Sequence, residues 1–175
     1  VAAQRLVNLQ SHTPIRASLR GRLLIVFSHN AEKELLLKWC QGNTQAMAYL
    51  KTLGQISQIA DDFVDGDTTS SDKMTQMLKM ALVDLPMNPF FAANSTSLCP
   101  LHLMAMVQWN GSNEWAKSED ESVKMFGYVY REAMEQIVPV VSEMCGGDAI
   151  KFAKEINAFY HQQHGETFND WKING

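Results

Sequence analysis

Four aspartates, Asp61, Asp62, Asp65 and Asp67, occupy seven consecutive positions at the end of the run QISQIADDFVDGD. On a helix turning about 100° per residue, Asp61, Asp62 and Asp65 share an arc of about 120° with Gln55 and Gln58. Leu53, Ile56, Ile59, Ala60, Phe63 and Val64 take the rest of the circumference. The position is costly for acids. The macrodipole is negative at a helix C-terminus, so each exposed carboxylate there costs roughly 0.3–1 kcal/mol. The Asp61–Asp65 pair at i, i+4 adds a few tenths more. The nearest cations in sequence are Lys51 and Lys73. A hard divalent ion would offset the cost, because Mg²⁺ takes oxygen ligands and is usually held by carboxylates together with phosphate oxygens. The expected site is therefore Asp61, Asp62 and Asp65 on Mg²⁺, with Gln58 and Asp67 beside them. The plain alternative is a solvated acidic face. An EF-hand does not fit: counted from Asp61, its third position is Phe63 and its twelfth is Asp72.

Other residues extend the list of candidates. Glu132 and Glu135 lie one turn apart and would join the site if they face the aspartates. His161 and His164, with Glu166 close behind, have the i, i+3 spacing of a shared helix face and could bind a transition metal. Near a helix C-terminus, histidines also interact favourably with the dipole, which is reason enough for them. Arg131, Lys151 and Lys154 are the candidate phosphate partners. The chain has no G-x-S-x-G, P-loop, dinucleotide fingerprint or HExxH motif.

DDFVD, Asp61 to Asp65, resembles the DDxxD motif of class I isoprenoid synthases. That resemblance implies an all-α fold in which Asp61, Asp62 and Asp65 hold Mg²⁺ over the diphosphate of a prenyl substrate. The later Asn169-Asp170 resembles the start of that family's second metal motif. The wider pattern KWCQGN…QIADDFVDGD…ALVDLPMNPFF resembles uncharacterised small all-α proteins of bacteriophages and marine metagenomes. A third similarity is to the all-α nucleoside triphosphate pyrophosphohydrolases, which pair acidic motifs on two helices. Here Asp62 with Asp65 and Glu132 with Glu135 would supply the pairs.

The elements that must position these groups are mostly helices. Apolar residues recur at three- and four-residue spacing after residue 30, which predicts one all-α domain of about six or seven helices over residues 1–175. Helices are expected over 31–40, from 43 or 44 to about 65, from Ser71 to Pro86, over 101–109, from a Ser118–Glu121 capping box to about Cys145 with a kink at Pro139, and over 148–163. Residues 87–100 read as a loop with two aromatic plugs, residues 1–20 as irregular, and 164–175 as a polar tail. Residues 22–27, RLLIVF, fit either a strand or the start of a buried helix. The ten methionines read as core filler.

With 15 basic and 19 acidic residues, the formal charge is -4. No basic stripe is present, so nucleic acid is not an expected partner. Three widely spaced cysteines without CxxC argue for reduced, buried thiols and a cytoplasmic, intracellular setting. No run approaches the roughly 18 apolar residues of a membrane span. Phe90-Phe91 and Trp171 are apolar anchors suited to a homodimer. Two function classes follow: a Mg²⁺-dependent protein that binds or acts on a diphosphate or nucleotide, and a non-catalytic helical module working through a partner surface.

Overall fold

The computed structural model describes residues 15–19, 22–26, 29–165 and 167–174. Two antiparallel strands, β1 (Ile15–Leu19) and β2 (Arg22–Val26), pair with Ile15 opposite Val26 and Leu19 opposite Arg22. The strand reading of RLLIVF therefore holds for residues 22–26, and most of the segment expected to be irregular, residues 1–14, lies outside the described residues. All else described is helix and connecting turn: α1 (His29–Trp39), α2 (Thr44–Val64), α3 (Ser71–Lys79), a π-helical turn (Met80–Asp84), α4 (Leu85–Met87), α5 (Pro89–Trp115), α6 (Glu121–Tyr130), α7 (Ile137–Met144), α8 (Ala149–His164) and α9 (Phe168–Asn174). The fold class is the expected all-α bundle, with the hairpin's β2 lying beside α8.

The termini are set by local chemistry. The Asn43 side chain accepts from the backbone N–H groups of Gln45 and Ala46 and starts α2. Gly66 ends it at φ +74, and the N–H groups of Gly66 and Asp67 donate back to Phe63 and Asp62. This is a Schellman closure, and a left-handed residue there favours glycine. Asp148 caps α8 through the Lys151 N–H.

Four expectations about the helices are corrected. Residues 89–100 are the first half of α5 rather than a loop. Asn88 caps that helix, and Phe90, Phe91, Leu98, Ala105 and Ser112 face inward at helical spacing. Burying two phenylalanines and a leucine outweighs the weak helix propensity of Asn, Ser and Thr. The kinked helix through Pro139 is instead two helices. The break falls at 131–136, and Pro139 sits in the first turn of α7, where its missing N–H costs nothing. The capping residue of α6 is Asp120, with Ser118 accepting from the Asp120 N–H. The polar tail contains α9, started by a reciprocal pair in which Asp170 accepts from the Thr167 N–H and hydroxyl while the Asp170 N–H donates to Thr167 Oγ1. That pairing holds the Asp170 carboxyl below its ordinary range.

The core forms around Trp39, Tyr49, Leu98, Ile137 and Ile156, all essentially inaccessible to water. Trp39 meets Phe159 edge-on at 5.6 Å, and its carbonyl accepts from the buried Ser142 hydroxyl at 2.8 Å, so α1, α7 and α8 meet at one residue. In the N-terminal third of α2, Tyr49 stacks on Phe91 and its hydroxyl lies 2.6 Å from His102 Nε2. Phe90, Phe91 and Trp171 are no more than 9% exposed, so they are core residues and not dimer anchors. Cys40 is buried, and burial beside Cys145 pushes its thiol up to about 12; Cys99, expected to be buried, is exposed. The π-helical turn has a packing cause. Met80 and Leu85 are both buried, and the Leu85 N–H donates to the Met80 carbonyl. In an α-helix, residues five apart point about 140° away from each other; the wider turn brings both onto one face.

Two predictions follow from this packing. A Cβ on Gly127 would lie 2.9 Å from the Trp171 ring and 3.1 Å from the Ser112 carbonyl. Gly127→Ala is expected to lose about 1–3 kcal/mol to overpacking, more than the helix-propensity gain of up to about 1 kcal/mol. Urea unfolding should show the loss, and tryptophan emission should shift red as α9 loosens. The second prediction concerns pH. Burial holds His102 below its ordinary value of 6.5. Between that value and the lower folded one, the unfolded chain binds more protons, so stability rises with pH there. The contribution is complete above about pH 6.5 and is lost as pH falls through the folded value. Thermal melts from neutral to mildly acidic pH should therefore fall more steeply for wild type than for His102→Gln.

Candidate functional site

α2 runs from the core, at Leu50 and Leu53, to the acidic end, and its last turns roof a half-open pocket of about 130 Å³. The polar lining consists of Ser57, Gln58 and Asp61 from α2, Arg131 and Glu135 from the turn between α6 and α7, and Tyr160 from α8. Leu50, Leu53, Met134 and Val138 form the apolar wall, with Trp109 of α5 at the side. A cavity of about 150 Å³ admits a benzene-sized molecule, so this one suits a compact ligand or group.

The aspartate stripe divides at this pocket. Asp61 turns inward, and its Oδ1 accepts from Trp109 Nε1 at 3.3 Å. Asp62 is half-buried beside it and accepts from Gln58 Nε2 at 2.9 Å. Asp65 and Asp67 are exposed, the first at the C-cap of α2 and the second in its Schellman closure. The cation missing from the neighbouring sequence arrives through the fold, since Arg131 lines the same pocket as Asp61. Its guanidinium lies over the Tyr128 ring at 4.4 Å, an orientation that fixes the fork. Glu135 brings a second carboxylate. Burial, and then the nearby Glu32 and Glu135, push the Tyr160 phenol above its ordinary range, so it stays protonated.

Of the residues expected from sequence, Gln58, Asp61, Arg131 and Glu135 converge. Glu132 faces elsewhere and accepts from or pairs with His161 Nδ1 at 3.1 Å, in a separate groove with Gln136 and Asn157. Lys151 and Lys154 are exposed on α8 and do not line the pocket; Lys151 lies 5.9 Å from the Phe152 ring. The His164 side chain and Glu166 lie outside the described residues. Among the described residues, no group of three or more His, Cys, Asp or Glu side chains converges as a metal site. Sequence reasoning missed Trp109 and Tyr160. Both sit on apolar helical runs that read as core, and only the helix packing aims them at the acids. No protein-family model, curated protein or solved structure matches this chain.

Proposed function

We propose that this chain is a helical ligand-binding protein whose site is the pocket beneath the acidic end of α2. Its ligand is a compact molecule with a positively charged, hydrogen-bonding head and a small apolar body. The observation that carries this reading is the make-up of one lining: two carboxylates, Asp61 and Glu135, one guanidinium, Arg131, and the rings of Trp109 and Tyr160. Two acids against one base leave the pocket negative, and electron-rich ring faces add attraction for an organic cation. The apolar wall of Leu50, Leu53 and Val138 would take the body of the ligand.

A second reading is favoured by Arg131 and Asp61 lining the same pocket. Mg²⁺ held by Asp61 with Asp62 or Glu135, and a diphosphate or nucleotide phosphate on Arg131, would use the same groups in other roles. Asp65 would have to turn inward to join them.

One experiment separates the readings. Thermal unfolding is followed with a panel of small amines and guanidinium compounds, and separately with Mg²⁺ and pyrophosphate together. In the first reading an organic cation raises the melting temperature and Mg²⁺ with pyrophosphate does not. Asp61→Asn or Glu135→Gln should then weaken binding about tenfold to a hundredfold, as expected for a lost hydrogen bond to a charged group. In the second reading, Mg²⁺ at about 100 times its dissociation constant adds roughly 2.7 kcal/mol, and Asp61→Asn with Asp65→Asn removes the response. If neither series shifts the melt, and Asp61→Asn is as stable as wild type, the pocket is not a ligand site.

A further inference from the structure

The outer face of α5 is covered by no described element. Buried residues of this 27-residue helix lie on one side: Leu98, Ala105 and Ser112, with His102 and Trp109 half-buried beside them. On a second stripe, centred about 120° round the helix from it, Ala92, Thr96, Cys99, Leu103, Met106 and Asn110 are all exposed. Their spacing alternates four and three residues, which is the seam spacing of a helix that packs lengthwise on another helix. The apolar members are open to water to an unusual degree: Leu103 is 64% exposed, Met106 54%, and the flanking Val107 63%. α5 is also the one described helix long and apolar enough to cross a bilayer, yet only 22% of its most apolar stretch is buried. The exposed apolar patch of Leu103, Met104, Met106 and Val107 on a folded domain marks an interaction surface.

We infer that this face joins two copies of the chain in an antiparallel, twofold dimer. The seam is graded along its length. Its first half is small (Ala92, Thr96, Cys99) and its second half larger (Leu103, Met106, Asn110). A twofold axis level with Leu101 sets Ala92 against Asn110, Thr96 against Met106 and Cys99 against Leu103 of the other copy. Small then meets large at every layer, and the surface is complementary to itself, as a twofold interface requires. Parallel pairing would leave a gap at one end and crowd the other.

Charge favours the same occupant. Between Asp84 and Glu114 the chain has no Asp, Glu, Lys or Arg. Two copies carrying a formal charge of -4 each can meet there without opposing like charges. A charged partner finds nothing to pair with, and the acids at the two ends oppose an anionic lipid surface. The area is sufficient for weak association. At about 1.5 Å per residue, α5 is about 40 Å long and about 10 Å wide. Two such strips with their flanking ridges bury on the order of 1,000 Å², near the lower bound for a specific interface. The dissociation constant is therefore expected in the micromolar range.

The test is sedimentation of the full chain from low to high micromolar concentration, with three variants. Wild type is expected to pass from monomer to dimer across that range. Met106→Glu should weaken the dimer at least tenfold with no loss of melting temperature for the monomer, since the residue is exposed. Thr96→Lys added to Met106→Glu should restore it, because the antiparallel register sets position 96 of one copy against position 106 of the other. Gln108→Glu, off the seam, should leave it unchanged. A wild-type monomer at every concentration overturns the inference, as does a dimer indifferent to Met106→Glu. A dimer lost in Met106→Glu but not restored by Thr96→Lys overturns the antiparallel register. Flotation of a monomeric wild type with phosphatidylcholine vesicles, abolished by Met106→Glu, would assign the face to lipid instead.

Discussion

The burial of Trp39 is the constraint on which the rest of this molecule depends. Its ring lies edge-on to Phe159, and its backbone carbonyl takes the Ser142 hydroxyl inside the core. One residue therefore fixes α1 against both α7 and α8. Those two helices carry Val138 and Tyr160, so the wall of the pocket is set by a contact made outside it. The nearby Lys38–Glu155 ion pair also joins α1 to α8. Both its partners are about half exposed, so it adds little beside the packing.

The acidic helix end gains its meaning from this frame. An isolated α2 would hold four carboxylates against its own dipole. In the folded chain the burden is divided: one carboxylate turns to the Trp109 indole, one to the Gln58 amide, and two face water, where screening is strong. Arg131 arrives from seventy residues away. The stripe is neither a uniform surface nor a ready-made cluster of metal ligands. It is a boundary between solvent and a small, polar-headed cavity.

How much of this was legible in the sequence varies with the range of the physics involved. The start of α2 at Asn43 and its stop at Gly66 are local hydrogen-bond chemistry, and the letters alone show them. That Asp61 and Gln58 share one helix face is helical geometry and was likewise legible; that Asp61 turns inward was not, because it depends on where Trp109, Arg131 and Tyr160 are brought by other elements. The first half of α5 was not, because Asn, Ser, Thr and Pro between Phe91 and Leu101 read as a loop. The counter-signal was present in the spacing of Phe90, Leu98, Leu101 and Ala105, all on the inner face. Pro139 misled for a related reason: proline breaks a helix from inside but begins one comfortably, and only the break at 131–136 shows which applies. Glu132 and Glu135 share a helical spacing but not a helix, so one faces the pocket and the other His161. That division is tertiary, and no sequence pattern contains it.

The π-helical turn at Met80–Asp84 has a consequence for how this chain can vary. A wide turn of this kind is what a helix becomes when one residue is inserted into it and both flanks keep their old packing. Removing a single residue from 80–84 would relax the turn to ordinary α geometry with Met80 and Leu85 still on one face, since four-residue spacing already aligns them. A second deletion would turn Leu85 and all that follows it by about 100° about the helix axis, and with it the Asn88 cap that starts α5. Length changes among relatives should therefore be tolerated here once, and in one direction only.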